Sequence, residues 1–91
     1  MHDLTGFQRD LLYVLSGLEE AKGLAVKDDL DDYYGVSVNH GRLYPNLDAL
    51  VDKGLVEKGA YDDRTNAYSL SRRGHREIEA RRAWESQYVE P

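Results

Sequence analysis

The sequence predicts a mainly α fold with one small β-hairpin (α+β), and three observations carry that prediction. Residues 39–53 repeat apolar side chains at helical spacing between a capping asparagine and a glycine stop. Two further helical patterns precede this stretch, and a hairpin pattern over 55–70 follows it. The chain of 91 residues makes one domain, 1–91, which buries roughly 60–65% of its unfolded surface. A hydrophobic content of 41% is enough for one modest core.

The first helix is expected at about 4–18. Thr5 with Gln8 three residues on makes a capping box, and Leu4 staples only weakly. Phe7, Leu11, Leu15 and Leu18 form its inward stripe, and Leu12, Tyr13 and Val14 widen the apolar zone beyond one small core. That surplus points to a homodimer in which Phe7, Leu11, Tyr13 and Val14 meet a partner helix.

Glu19 to Gly23 reads as a polar turn. The second helix covers 24–34, with Val26, Leu30 and Tyr33 inward and Lys27, Asp28, Asp29, Asp31 and Asp32 wet. Carboxylates on an exposed helix face are ordinarily solvation, so no metal is expected there. Gly35 ends the helix, and Val36-Ser37-Val38 bridges to the third.

The third helix spans 39–53. Asn39 is its N-cap, and Leu43, Leu47, Leu50 and Val51 recur on one face. Gly54 suits the left-handed position after the helix, and Leu55 packs back. His40, Arg42, Tyr44 and Asn46 fall toward solvent. Pro45 cannot bond to the carbonyl of Gly41, and Gly41 lacks a side chain, so the two form one device that tilts the first turn. Two helices joined by a glycine-containing turn, the second apolar behind and donor-rich in front, make a helix-turn-helix.

The hairpin over 55–70 turns at residues 61–66, and Tyr68 and Leu70 share a face. Its tip, within 61–67, carries Arg64, Thr65 and Asn66 and reads as a wing whose cation reaches DNA. The plainer reading of Arg64 is neutralisation of Asp62 and Asp63. Ser71 caps a long last helix over 72–89, in which five arginines are mixed with glutamates, several at i, i+4 spacing. Ile78, Trp84 and Tyr88 are too few for a buried helix and too bulky for an exposed one. With Arg81 they are expected in the dimer.

The net charge of −5 lies in residues 1–36, where eight acids face three bases; the remainder is neutral. Aspartate outnumbers glutamate and arginine outnumbers lysine, the surface habit of proteins in molar salt. A halophilic cytoplasm, with bound salt ions, is therefore the expectation beside the bland one of an ordinary acidic protein. Zero cysteines exclude disulfides and thiol switches. No apolar run approaches a membrane span and no leader pattern is present, which predicts a cytoplasmic location and no membrane partner. Neither a nucleophile with its base nor a phosphate loop nor a metal cluster appears, so neither an enzyme nor a cofactor is expected.

Gly41-Arg42-Leu43-Tyr44-Pro45-Asn46-Leu47, then Leu50 and Lys53-Gly54-Leu55-Val56, resembles the recognition-helix pattern of PadR-like winged-helix regulators. Leu11-Leu12, Gly23-Leu24-Ala25-Val26 and Tyr68-Ser69-Leu70-Ser71 with Gly74 match other landmarks, so the resemblance covers nearly the whole chain. It implies a winged helix-turn-helix with a long C-terminal dimerisation helix, and a homodimeric regulator, often a repressor; the acidic character suggests a haloarchaeal or haloviral member. The single helix after the wing departs from larger members and leaves no dedicated effector pocket expected.

On this reading the partner is double-stranded DNA carrying a pseudo-palindromic operator with half-sites about 10 bp apart. Arg42 reads guanine, Asn39 and His40 reach a base edge or phosphate, and Tyr44 donates to a phosphate. Gly41 lets the helix start approach the backbone. Asn46, Arg64, Thr65 and Asn66 add contacts, and Lys53 and Arg72 touch phosphates. The alternative is a winged-helix protein-interaction module, without specific DNA binding, whose acidic second helix holds a basic partner.

Overall fold

The expected capping box opens the first helix: the Thr5 hydroxyl accepts from the Gln8 amide, and the Gln8 side chain accepts from the Thr5 amide. In a computed structural model that describes residues 1–89, α1 (Gly6–Ser16) is followed by β1 (Ala21–Lys22), α2 (Gly23–Tyr34) and α3 (His40–Asp52). Then come β2 (Val56–Ala60), β3 (Asn66–Leu70) and α4 (Arg72–Glu85). Residues 90 and 91 of the expected 1–91 span lie outside the described residues.

The expected 4–18 helix is shorter at both ends. Leu4, buried before the cap, seats the chain entry, where the Arg9 guanidinium donates to its carbonyl at 2.8 Å. The turn expected at 19–23 contains a strand instead. Ala21 pairs with Tyr68 and Lys22 with Ala67, so the sheet has three antiparallel strands in the order β1-β3-β2. Two residues are too few to show alternation, and only the β3 edge gives their amides partners. The last helix also ends early, at Glu85 rather than 89. There the Ser86 hydroxyl donates to the Ala83 carbonyl, and the chain tightens into a turn at Gln87 and Tyr88.

Leu11, Leu12, Leu15, Val26, Leu30, Leu43, Leu47 and Leu50 form the fully buried centre, with Val56, Tyr68, Leu70 and Ile78 closing it. Phe7, Leu11 and Ile78, expected at a dimer interface, lie in this core at 6%, 0% and 7% exposure. A chain this small needs them for its own interior. Tyr33, expected inward, is 82% exposed. Its neighbour Tyr34 turns in, donating its hydroxyl to Asp10 beside the Phe7 ring. Burial and the Asp10 carboxylate push the Tyr34 phenol up to about 12.

The end of α3 is held by Gly54 at φ 76°, a left-handed conformation that glycine adopts without Cβ strain. Its amide donates to Val51 and that of Leu55 to Leu50, at 2.9 and 3.0 Å, closing the helix in a Schellman motif. Ser71 then joins three elements. Its amide reaches Leu55, its hydroxyl donates to Gly54 at 2.6 Å, and that oxygen accepts the Gly74 amide at the start of α4.

Candidate nucleic-acid interface

Asn39 caps α3 as expected, its side-chain oxygen accepting from the Gly41 amide at 2.6 Å. This bond uses the oxygen and not the side-chain NH2 group, at an exposed position. The corner before it is held from α2: Asp31 accepts from the Val38 amide at 2.6 Å and pairs with Lys27. These two partners, Lys27 first, hold the Asp31 carboxyl below its ordinary 3.8. Backbone donors do the same for Asp62 in the wing.

A lowered folded-state pKa contributes stability that is complete above the unfolded value and is lost as pH falls through the folded one. The melting temperature is therefore expected to drop as pH falls below about 4. An Asp31→Asn variant should melt lower at neutral pH and show a flatter acid limb, read by thermal circular dichroism. An acid limb identical to wild type would show that Asp31 does not hold the corner.

With Leu43, Leu47 and Leu50 turned in, the rest of α3 divides into three faces. His40 and Tyr44 lie on the wing side, ring edge to face at 5.9 Å. The half-buried Tyr44 ring fills space that Gly23 leaves open at the start of α2; a Cβ there would sit 2.5 Å from it. Arg42 and Asn46 lie on the α1 side. The Arg42 guanidinium stacks 4.0 Å above the Phe7 ring. Asn46 accepts from the Gln8 side chain at 3.1 Å and donates to the Arg42 carbonyl at 2.7 Å. Expected in solvent, Asn46 is half-buried and engaged at both ends, so it braces the helix start against α1. The third face, outward, carries Gly41, Pro45 and Asp52, with Asp48 at its edge toward the wing, all exposed.

Tyr44, Arg64, Thr65 and Asn66 line one groove of about 560 Å³ between α3 and the wing. Among the described residues Arg64 pairs with neither Asp62 nor Asp63 within 4 Å; Asp62 accepts instead from the backbone amides of Arg64 and Thr65, at 2.9 and 2.8 Å. Sequence reasoning missed two more cations there. Lys22 reaches the groove from β1 and lies 4.2 Å over the Tyr61 ring; Lys58 reaches it from β2 and pairs with Asp48 at 3.1 Å. Alternation along 55–60 could have placed Lys58, but nothing local reveals Lys22. Lys53 and Arg72 are not brought to this face. They flank the base of the hairpin, where Val56 pairs with Leu70, while the tip lies beyond the Ala60–Asn66 pair.

A helix-turn-helix whose second helix stands beside a cation-bearing hairpin defines a winged-helix regulator. A model of the transcriptional regulator PadR-like family matches residues 11–80, and the chain belongs to that family. Among solved structures it is similar to RosR of H. salinarum, with 52% identity and a TM-score of 0.89 over 98% of this chain and 81% of that one. The RosR chain of the hsRosR-SG complex gives 52% and 0.91 over 99% and 80%. A PadR family transcriptional regulator from Eggerthella lenta gives 26% and 0.67 over 89% and 78%. F93 from STIV, a winged-helix DNA-binding protein, shares the fold at 17% identity and a TM-score of 0.75, covering 96% of both chains. No curated protein matches.

Proposed function

We propose that this winged-helix transcriptional regulator works as a homodimeric repressor, binding a pseudo-palindromic operator in double-stranded DNA. The start of α3 enters the major groove and the 61–67 wing contacts the adjoining backbone. The observation that carries this reading is the groove itself. In a chain of net charge −5, Lys22, Lys58 and Arg64 converge beside the Tyr44 ring and a single carboxylate, Asp48. Cations gathered in that way position a phosphate backbone, while base contacts from α3 supply the sequence preference. Arg42 suits base reading because a guanidinium stacked on a ring keeps its in-plane donors free and loses little freedom on binding. Asn39 and His40 flank it.

The dimer is proposed through α4 and the flank of α1. Only Gly74 and Ile78 of the fourteen residues in α4 are buried, while the Trp84 and Tyr88 rings meet at a tilt, 5.3 Å apart, with 49% and 70% exposure. Tyr13 and Val14 are half-buried alongside, and the Tyr13 hydroxyl donates to Glu85. Arg81 stacks on Trp84 at 4.7 Å. No helix among the described residues is long and apolar enough to cross a membrane. A cytoplasmic location in a halophilic cell, with salt ions at the acidic surface, completes the proposal.

The test is selection from random duplex DNA in molar KCl, run with wild type and Trp84→Glu. Wild type should enrich a two-fold site and scatter light as a dimer. Trp84→Glu should keep the wild-type circular dichroism spectrum, since the side chain lies outside the core, yet run as a monomer and melt lower, at a temperature independent of protein concentration. Its affinity should fall roughly a hundredfold or more as the second half-site stops reinforcing the first. A protein that enriches no site, and instead captures a basic protein, would be an interaction module.

A further inference from the structure

Successive residues of an α-helix are about 100° apart. With Leu43, Leu47 and Leu50 inward, the line facing out of α3 is Gly41, Pro45, Asp48 and Asp52, with Asp48 leaning toward the wing groove. Gly41 and Pro45 have no side-chain group that can hydrogen-bond. Counting from the helix start, Asp48 is therefore the first side chain on that line able to address a base edge. Its carboxylate is half exposed, and Lys58 Nζ lies 3.1 Å away across the groove from β2.

An acid on a surface that meets phosphates is repelled unless it is neutralised and has a donor to receive it. Lys58 supplies the first. The second narrows the choice of base. In the major groove guanine shows two acceptors and thymine one, all repulsive to a carboxylate. Adenine offers an amino group but sets N7 beside it, against the second carboxylate oxygen. Cytosine shows only its N4 amino group. We propose that Asp48 reads a cytosine in each half-site, with Lys58 as its counter-charge. This rests on the reading that α3 enters the major groove. The carboxylate selects by refusal as much as by attraction, since guanine at the same position would set acceptor against acceptor.

Site selection with wild type, Asp48→Asn and Lys58→Met tests the assignment. Wild type should show cytosine at one position of each half-site. Asp48→Asn should lose that preference by roughly tenfold, because its amide can both donate and accept, while every other position keeps its base. Lys58→Met should weaken binding to all sequences and retain the cytosine. Both positions are partly exposed, so melting temperatures close to wild type are expected. If Asp48→Asn instead binds every sequence more tightly by one common factor with unchanged preferences, the carboxylate merely repels DNA and the assignment is overturned. A wild-type protein that enriches no site overturns the regulator reading itself, and the assignment with it.

Discussion

Gly74→Ala is expected to lose about 2–3 kcal/mol of stability, although alanine is the better helix former by roughly 1 kcal/mol. A Cβ at Gly74 would lie 2.2 Å from the Leu55 carbonyl oxygen and 3.2 Å from Leu70 Cδ2. The first of these is backbone, tied by the Ser71 amide at 3.0 Å and followed directly by β2, so it cannot swing aside as a side chain would. α4 must instead lift from the hairpin, which strains the Ser71 bonds to Gly54 and Gly74 together. For a domain of this size the melting temperature should fall by roughly 10–20 °C. Gly59→Ala is the control, because a Cβ there meets nothing within 4 Å. It should shift stability by no more than about 0.5 kcal/mol. Urea titration of both variants decides the matter, and equal midpoints would mean that α4 has slack at this junction.

Arg42→Ala is expected to abolish discrimination at the guanine that the proposed reading assigns to it. A bidentate arginine–guanine pair contributes roughly 1–3 kcal/mol of discrimination, and a two-fold dimer loses it twice, for roughly 2–6 kcal/mol overall. The fold should be little affected, since the stack of Arg42 on Phe7 is exposed and contributes only about 0.5–1 kcal/mol. Arg42→Lys separates charge from geometry. Lysine restores one positive charge but neither the planar fork nor the stack, so affinity should recover while discrimination does not. Anisotropy titrations on the selected operator, and on one with the guanine replaced, measure both quantities. A uniform loss on the two duplexes would make Arg42 a phosphate contact, and base reading would pass to the remaining side chains of α3.

Local chemistry explains why much of this was readable in advance. The caps at Thr5, Asn39 and Ser71, and the left-handed Gly54, each depend on residues within one turn, so spacing alone reveals them. The wing was legible for the same reason, because a polar turn between alternating strands is a local signal. Assignment of single side chains was harder. Asn46 looked free because helical phase puts it near the edge of the apolar stripe. Gln8, thirty-eight residues away, is what occupies it.

From the amino acids alone came the order of helices and hairpin, the family pattern and the stretch that carries the candidate site. Folding decided which apolar residues the chain keeps for its own core: Phe7, Leu11 and Ile78 inside, Tyr33 and Trp84 out. It also added β1, and through β1 and β2 it set Lys22 and Lys58 against α3. Periodicity records which face of an element is apolar. Which neighbour covers that face, and which charge comes to stand opposite, depends on contacts between residues far apart in the chain.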